Sequence, residues 1–401
     1  MTETSINRRL RIIQFTYLAA LASFINYLAL YLDSIGFSEF RIGVIHAVGA
    51  IVMLIIQPLL GRVLDRTQNF CQIVSVVLIA CVLGVAAVPV LGSLIWLELI
   101  LIILLYAIIK QFGGVFDLWT YQLKSDHPGI SYGSTRGVGS IGEGLATFIV
   151  GYLIAWFGFA PMFILTIVCF MLTLLAAARM PNPRPAPQTD SAGQEAPRAQ
   201  PDGVRARMQS IWSRRLVLYV ASFLMVKVAV TLISTFCSLM VKRLGAGSEW
   251  YGFIILLCGI AELPVFMLLG RWCQGPRVRP GYLLCMGLGL LGSLMTALAQ
   301  GLAVFVVGRI MLTIVYAMYT VINLEYVNQY VDASRRGQVI LVIGAVSSGV
   351  SYIASSLLGG YLLELGSQSL MALVLTGLFV AALVLQTGAF GKKGEVNERE
   401  S

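Results

Sequence analysis

Hydrophobic residues run through this chain in blocks of about twenty, separated by short polar stretches, and the blocks set the reading of everything else. The block from Phe159 to Ala178 is typical: 20 residues without a charged side chain, matching the roughly 20 that an α-helix needs to cross a bilayer core. Twelve such blocks fall near 11–32, 41–63, 71–90, 94–117, 134–155, 160–179, 215–241, 250–270, 280–299, 302–326, 337–363 and 368–389. One could be the core helix of a soluble domain, but twelve in series predict membrane spans. The alternating ten-residue pattern of barrel strands is absent. The expected fold is therefore an all-α membrane protein with twelve transmembrane helices.

Composition agrees. Only 12% of the 401 residues are charged and 58% are hydrophobic, where soluble domains carry about a quarter charged residues. The net charge of +9 reads as topology, with no nucleic-acid partner implied. Basic residues gather at the termini and in the even-numbered loops, among them Arg8, Arg9, Arg11, Arg214, Arg215, Arg335 and Arg336, whereas the odd loops hold Arg41, Lys242 and Arg243. By the positive-inside rule both termini are expected in the cytoplasm, with the protein in the cytoplasmic membrane. The first apolar run is span-length and lacks a small-residue cleavage site, so it is expected to stay as a helix. Seven cysteines without CxxC spacing predict neither a disulfide framework nor a metal site. His46 and His127 are too isolated for zinc. No cofactor is expected.

The chain divides once. Residues 180–213 hold six of the thirteen prolines and cannot bury enough apolar surface to offset ordering, which predicts a flexible linker. The expected layout is a six-helix bundle over 1–179, the linker, a second bundle over 214–391 and a tail over 392–401. An internal repeat supports it. At an offset of 209, residues 42–62 match 251–271 at eight of 21 positions, including Gly43/Gly252, Ile45/Ile254, Gly61/Gly270 and Arg62/Arg271, and Gly36/Gly245 share the register. Two equivalent halves with a solute site near the midplane form the recurring plan of secondary transporters.

Charged positions inside the blocks carry the candidate chemistry. A charge at the bilayer centre costs about 2.5–3.5 kcal/mol on insertion scales and persists where it is paired or faces a wet cavity. Lys110, Glu143, Lys227, Glu262 and Arg309 are expected at depth; Asp117, Arg136 and Glu325 are expected nearer the cytoplasmic mouth. Some of these could be salt bridges that only fix packing. Asn26 on the first helix could hydrogen-bond a solute. Tyr316, Tyr319 and Asn323 stand at i, i+3 and i+7, which predicts one shared cavity wall. Trp119 and Trp250 read as interfacial anchors.

Three motifs resemble the major facilitator superfamily. "GRVLDR" (61–66) is similar to its loop 2–3 signature, a glycine followed four residues later by Asp-Arg, which implies a conformational gate at Gly61, Asp65 and Arg66. "YGSTRGVGSIG" (132–142) resembles the opening of helix 5 in the branch of lactose permease, phenylpropionate permeases and nucleoside–proton symporters. "GVFDLWTYQLKS" (114–125) resembles the end of helix 4 there. The resemblance implies two six-helix bundles, with Arg136 and Asp117 contacting substrate and Glu143 where that permease stacks an aromatic ring on a sugar. The pattern also departs from the family. Thr67, Gln68 and Asn69 replace the usual basic run, Gln274 stands opposite Asp65 in the second half, and the helix 10 histidine is missing.

The expected function is secondary active transport of a small polar or amphipathic organic solute by alternating access, as a monomer. Proton-coupled symport is the leading form, through Glu143, Glu262 or Glu325, since burial favours a neutral carboxyl. Lys227, Lys110 and Arg309 are the cationic partners. For Glu262, the neighbouring Pro264 would let its helix bend as access alternates. The alternatives are export of a drug or metabolite by proton antiport and a non-transporting membrane sensor. Walker loops and catalytic triads are absent, so no enzyme activity is expected.

Overall fold

The computed structural model describes residues 3–67, 69–92, 94–127, 129–130, 132–182, 214–272, 277–331 and 336–389. Twelve α-helices occupy them: α1 (Glu3–Ser34), α2 (Glu39–Thr67), α3 (Phe70–Ala87), α4 (Ile95–Asp126), α5 (Tyr132–Phe157), α6 (Ala160–Ala177), α7 (Arg214–Arg243), α8 (Ser248–Trp272), α9 (Val278–Ala297), α10 (Leu302–Tyr330), α11 (Arg336–Glu364) and α12 (Gln368–Ala389). A 3-10 turn, Val88–Val90, extends α3. Among the described residues there is no strand, and ten helices are long and apolar enough to cross a membrane. The protein is an all-α, multi-pass membrane protein.

By its contacts the chain falls into two compact units. The first holds α1–α6 with residues 232–260 and 352–366; the second holds α9, α10, α12 and the remaining parts of α7, α8 and α11.

In the first unit α1 lies against α5 and α6, α2 against α4, and α3 against α6. The glycines of "YGSTRGVGSIG" set the α1–α5 approach. A methyl at Gly142 would lie 2.5 Å from the Phe15 carbonyl oxygen, and one at Gly139 would lie 3.2 Å from that of Gln14. At Gly142 only hydrogen fits, and at Gly139 a methyl would be crowded, as small-residue packing of membrane helices requires. Several polar groups buried in this unit are tied locally. Glu98, 1% exposed, accepts a 2.7 Å hydrogen bond from the Tyr31 hydroxyl. The Thr16 and Thr173 hydroxyls meet at 2.8 Å, and the Tyr17 hydroxyl donates to the Ile109 carbonyl.

Trp119 departs from expectation. Its ring is fully buried, stacks on Phe70 at 5.9 Å and donates through Nε1 to the Pro181 carbonyl at 3.2 Å. Indole at that depth is bundle core, not an interfacial anchor. Trp250 is 46% exposed. The same contact shows residues 180–182 packed onto the bundle, with Met180 buried and Asn182 bonded to Asn69 at 3.0 Å. The rest of the expected linker and the expected tail lie outside the described residues.

In the second unit α9 packs on α10 and α12. Ser222 of α7 joins it, meeting the Tyr282 hydroxyl at 2.5 Å and donating to the Ala382 carbonyl at 2.8 Å.

Candidate functional site

The first unit carries a polar line built from α1, α4 and α5. Tyr106, Lys110 and Asp117 recur at i, i+4 and i+11 on α4, and Arg136, Glu143 and Thr147 at i, i+7 and i+11 on α5, so each trio keeps one face. Asp117 and Arg136 come together: Nη1 of the arginine is 3.8 Å from Oδ2 of the acid, with both side chains partly exposed. That is longer than the 2.7–2.9 Å of a direct charge-assisted bond, leaving an ion pair loose enough to admit water or solute. The other carboxylate oxygen is held from α1, where Gln14 Nε2 donates at 3.0 Å.

Further along α4, Lys110 sits between two tyrosines. Its ammonium is 3.8 Å from the Tyr352 ring centroid and 4.9 Å from that of Tyr106. Such cation–π contacts hold a cation without neutralising it. Glu143 feels the charges of Lys110 and Arg136, so acids and bases alternate along the line. Asn26 of α1 donates to the Thr147 hydroxyl at 2.9 Å, which donates to the Glu143 carbonyl at 2.8 Å.

His46 of α2 adjoins this line. Its ring stacks on Tyr106 at 5.2 Å and approaches Phe236 of α7 at 6.4 Å. It is 3% exposed, and neither ring nitrogen has a hydrogen-bond partner among the described residues. The chain's sequence flagged His46 only as a poor zinc ligand. Gln14, Tyr352 and His46 escape sequence reasoning because each is brought in by a helix distant along the chain, and Tyr106, one turn before Lys110 on α4, carries no charge to mark it.

A second feature of this unit is a closed seam. Gly43 of α2 faces the Ser356 carbonyl and Gly360 of α11, and a methyl on Gly360 would lie 2.6 Å from the Glu39 carbonyl oxygen. Gly252 of α8 faces α5, where a methyl would lie 2.7 Å from the Thr147 carbonyl oxygen. Ser248 donates to the Gly151 carbonyl at 2.8 Å. Ion pairs lock the helix ends beside it: Lys242 to Asp33 at 2.5 Å and Arg243 to Glu39 at 2.6 Å. Arg243 also donates to the Leu363 carbonyl at 2.6 Å, and Glu364 accepts from Ser38 and from the Phe40 amide at 2.7 and 2.8 Å. The one legible signal was the repeat, which pairs Gly43 with Gly252.

In the second unit the expected wall of α10 splits. Tyr319 is buried, stacked on Phe223 at 4.0 Å, with its hydroxyl donating to the Phe223 carbonyl. Asn323 accepts from the Tyr219 hydroxyl at 3.2 Å, and Tyr219 stacks on Tyr326 at 3.6 Å. Tyr316 is 43% exposed, so the three residues do not share one environment. Arg309 is buried and donates to Thr313 at 2.8 Å. Glu325 accepts from Gln329 at 3.0 Å. Lys227 and Glu262 are each half-buried, on α7 and α8. In the expected gate, Gly61 lies on α2 with open space where a side chain would be, whereas the side chains of Asp65 and Arg66 lie outside the described residues. Among the described residues no group of histidines, cysteines and acids could hold a metal ion.

Comparison with known proteins finds relatives of the chain and of its fold. The MFS_1 like family model matches residues 7–374. A Deinococcus radiodurans protein described as "Putative sugar efflux transporter" is 25% identical over 353 residues, covering 82% of this chain and 85% of that protein. Among solved structures, a mutant of the nucleoside transporter NupG superposes with a TM-score of 0.78 at 15% identity, covering 96% of this chain and all of that one. The D-xylose-proton symporter does so with a TM-score of 0.68 at 14% identity, covering 96% and 97%.

Proposed function

The chain belongs to the MFS_1 like family of major facilitator transporters, and from that premise we propose that it carries a small, hydroxyl-rich organic solute of the sugar or nucleoside class. Transport proceeds by alternating access across the cytoplasmic membrane, in a monomer with both termini in the cytoplasm. The polar line carries this reading. Asp117, Arg136, Glu143 and Asn26 supply hydrogen-bond donors and acceptors, and the partly exposed Tyr352 ring supplies a flat apolar face on which a sugar or base rests. A neutral, polyhydroxylated solute suits a line in which acids and bases alternate, because no net charge is left to compensate. On α10 of the second unit, Tyr316 is the exposed member of the expected wall and the one proposed to meet a solute, while Tyr319 and Asn323 are engaged by Phe223 and Tyr219. Gly61, Asp65 and Arg66 form the gate on the opposite side from the glycine seam.

Coupling is to protons, by symport, with Glu262, Lys227 and Glu325 in the second unit and Lys110 and Arg309 as fixed cations. A carboxyl whose surroundings change between outward and inward states changes its proton affinity with them. Export by antiport is the second reading, supported by the sugar-efflux relative.

Counterflow in proteoliposomes tests the first claim. Vesicles loaded with an unlabelled sugar mixture or nucleoside mixture should concentrate the matching labelled solute transiently. Failure with both mixtures overturns the substrate class. An imposed pH gradient then sets the direction: accumulation with protons is symport, and accumulation against them is antiport. Glu262→Gln should spare exchange and lose uphill accumulation; if exchange and accumulation survive or fail together, Glu262 is not the proton site.

A further inference from the structure

The first unit has an open groove of about 480 Å³ between α1 and α6, away from the polar line, lined by Arg8, Arg9, Ile12, Leu172, Leu175, Ala176 and Arg179. Three cations and four apolar residues make an unusual lining, and their depths differ in an ordered way. At 1.5 Å of rise per residue, Ile12 lies about 6 Å along α1 from Arg8, and Leu172 about 10 Å along the chain of α6 from Arg179. Cations therefore rim one end, and an apolar floor continues from them toward the hydrocarbon. Ile12, Leu172 and Leu175 are exposed, as lipid-facing residues are.

Among the described residues, none of Arg8, Arg9 and Arg179 makes an ion pair. The nearest acid along α1, Glu3, is turned to His127 at 3.8 Å. Guanidinium groups bind phosphate through paired donors in a fixed fork, and basic pockets between membrane helices at the headgroup level take anionic lipid.

The geometry points to a site for one anionic phospholipid: a phosphodiester headgroup on Arg8, Arg9 and Arg179, with an acyl chain lying along Ile12, Leu172, Leu175 and Ala176. A soluble phosphate would use the rim and leave the floor idle. The charge complementarity and the apolar floor together commit the groove to a lipid, independently of which solute the protein carries.

Native mass spectrometry of the full chain, exchanged into detergent with defined lipid, tests it. Phosphatidylglycerol should be retained in preference to phosphatidylcholine, and inorganic phosphate at millimolar concentration should not displace it. Removing one arginine as glutamine should weaken retention about fivefold, and removing all three on the order of 100-fold. Ala176→Trp, which keeps every charge and fills the floor, should also weaken it. Equal retention of both lipids, displacement by inorganic phosphate, or unchanged retention in either the triple arginine variant or Ala176→Trp would each overturn the assignment. Unchanged retention in Ala176→Trp would mean diffuse attraction to a basic surface and not a site.

Discussion

At Gly151, α5 meets α8 backbone to backbone; at Arg136, about four turns away, the same helix offers a half-exposed guanidinium to a carboxylate 3.8 Å distant. The contrast separates two kinds of contact. Carbonyl-to-glycine packing at the seam has no rotamer to adjust, so it is either made or broken along its length. The Asp117–Arg136 pair can lengthen, admit a solute or re-form one side chain at a time. In the proposed cycle the seam is therefore where access switches, and the loose end is where a solute is recognised.

The strongest way to break the comparison is to put bulk into the seam. Gly43→Val drives a side chain against the Ser356 carbonyl and Gly360, neither of which can rotate away. Overpacking of about 1–3 kcal/mol should hold α2 and α11 apart and abolish net transport. The native thiols Cys237 and Cys258, buried in this structure, should become reactive to a membrane-impermeant maleimide. Transport at the wild-type rate would remove the seam from the mechanism.

At the loose end the signature reverses. Asp117→Asn and Arg136→Gln should each reduce transport at least tenfold, while thermal stability shifts by less than about 1 kcal/mol, as for a partly exposed pair. A large loss of stability with transport retained would mark the pair as structural.

His46 sharpens the distinction, because it stands beside the seam with two buried ring nitrogens unsatisfied by the described residues. Leaving such a group unpartnered costs about 1–3 kcal/mol. His46→Phe keeps the stack on Tyr106 and should raise stability by about 1 kcal/mol in a denaturation curve. A decrease would show that the ring nitrogens are satisfied in the membrane. The smallest effect belongs to the ion pairs at the helix ends. Lys242→Ala or Asp33→Ala should weaken closure by about 0.2–1 kcal/mol, read as a few-fold rise in Cys237 labelling. Raised ionic strength should mimic either change in the wild type.

Much of the fold was legible because a bilayer demands blocks of one length. The expected span 368–389 coincides with α12, and 160–179 with α6 to within two residues. The disagreements follow from what hydropathy measures. The expected end at 117 falls nine residues inside α4, which runs to Asp126, and α1 begins at Glu3 instead of residue 11. An apolar block marks where hydrocarbon ends, whereas a helix continues until its backbone loses partners. In the site, the Asp117–Arg136 encounter could be anticipated, since a short connection joins their helices. The Lys110 sandwich could not, because Tyr352 is 242 positions away along the chain. Tyr316 misled for a different reason: i+3 spacing offsets a side chain by about 60°, enough to leave Tyr319 in the core and Tyr316 outside it.

The burial of Trp119 has an optical consequence. Trp96 and Trp156 are 78% and 76% exposed and Trp250 is 46% exposed, while Trp119 has no accessible surface. Its emission should lie to the blue of theirs and resist quenching by iodide. It stands two residues from Asp117 on α4, with its indole nitrogen tied to Pro181 at the end of the chain segment that follows α6. The molecule thus holds a built-in fluorophore within a helical turn of the carboxylate proposed to meet the solute, and movement of α4 on binding should register as a spectral change without any attached dye.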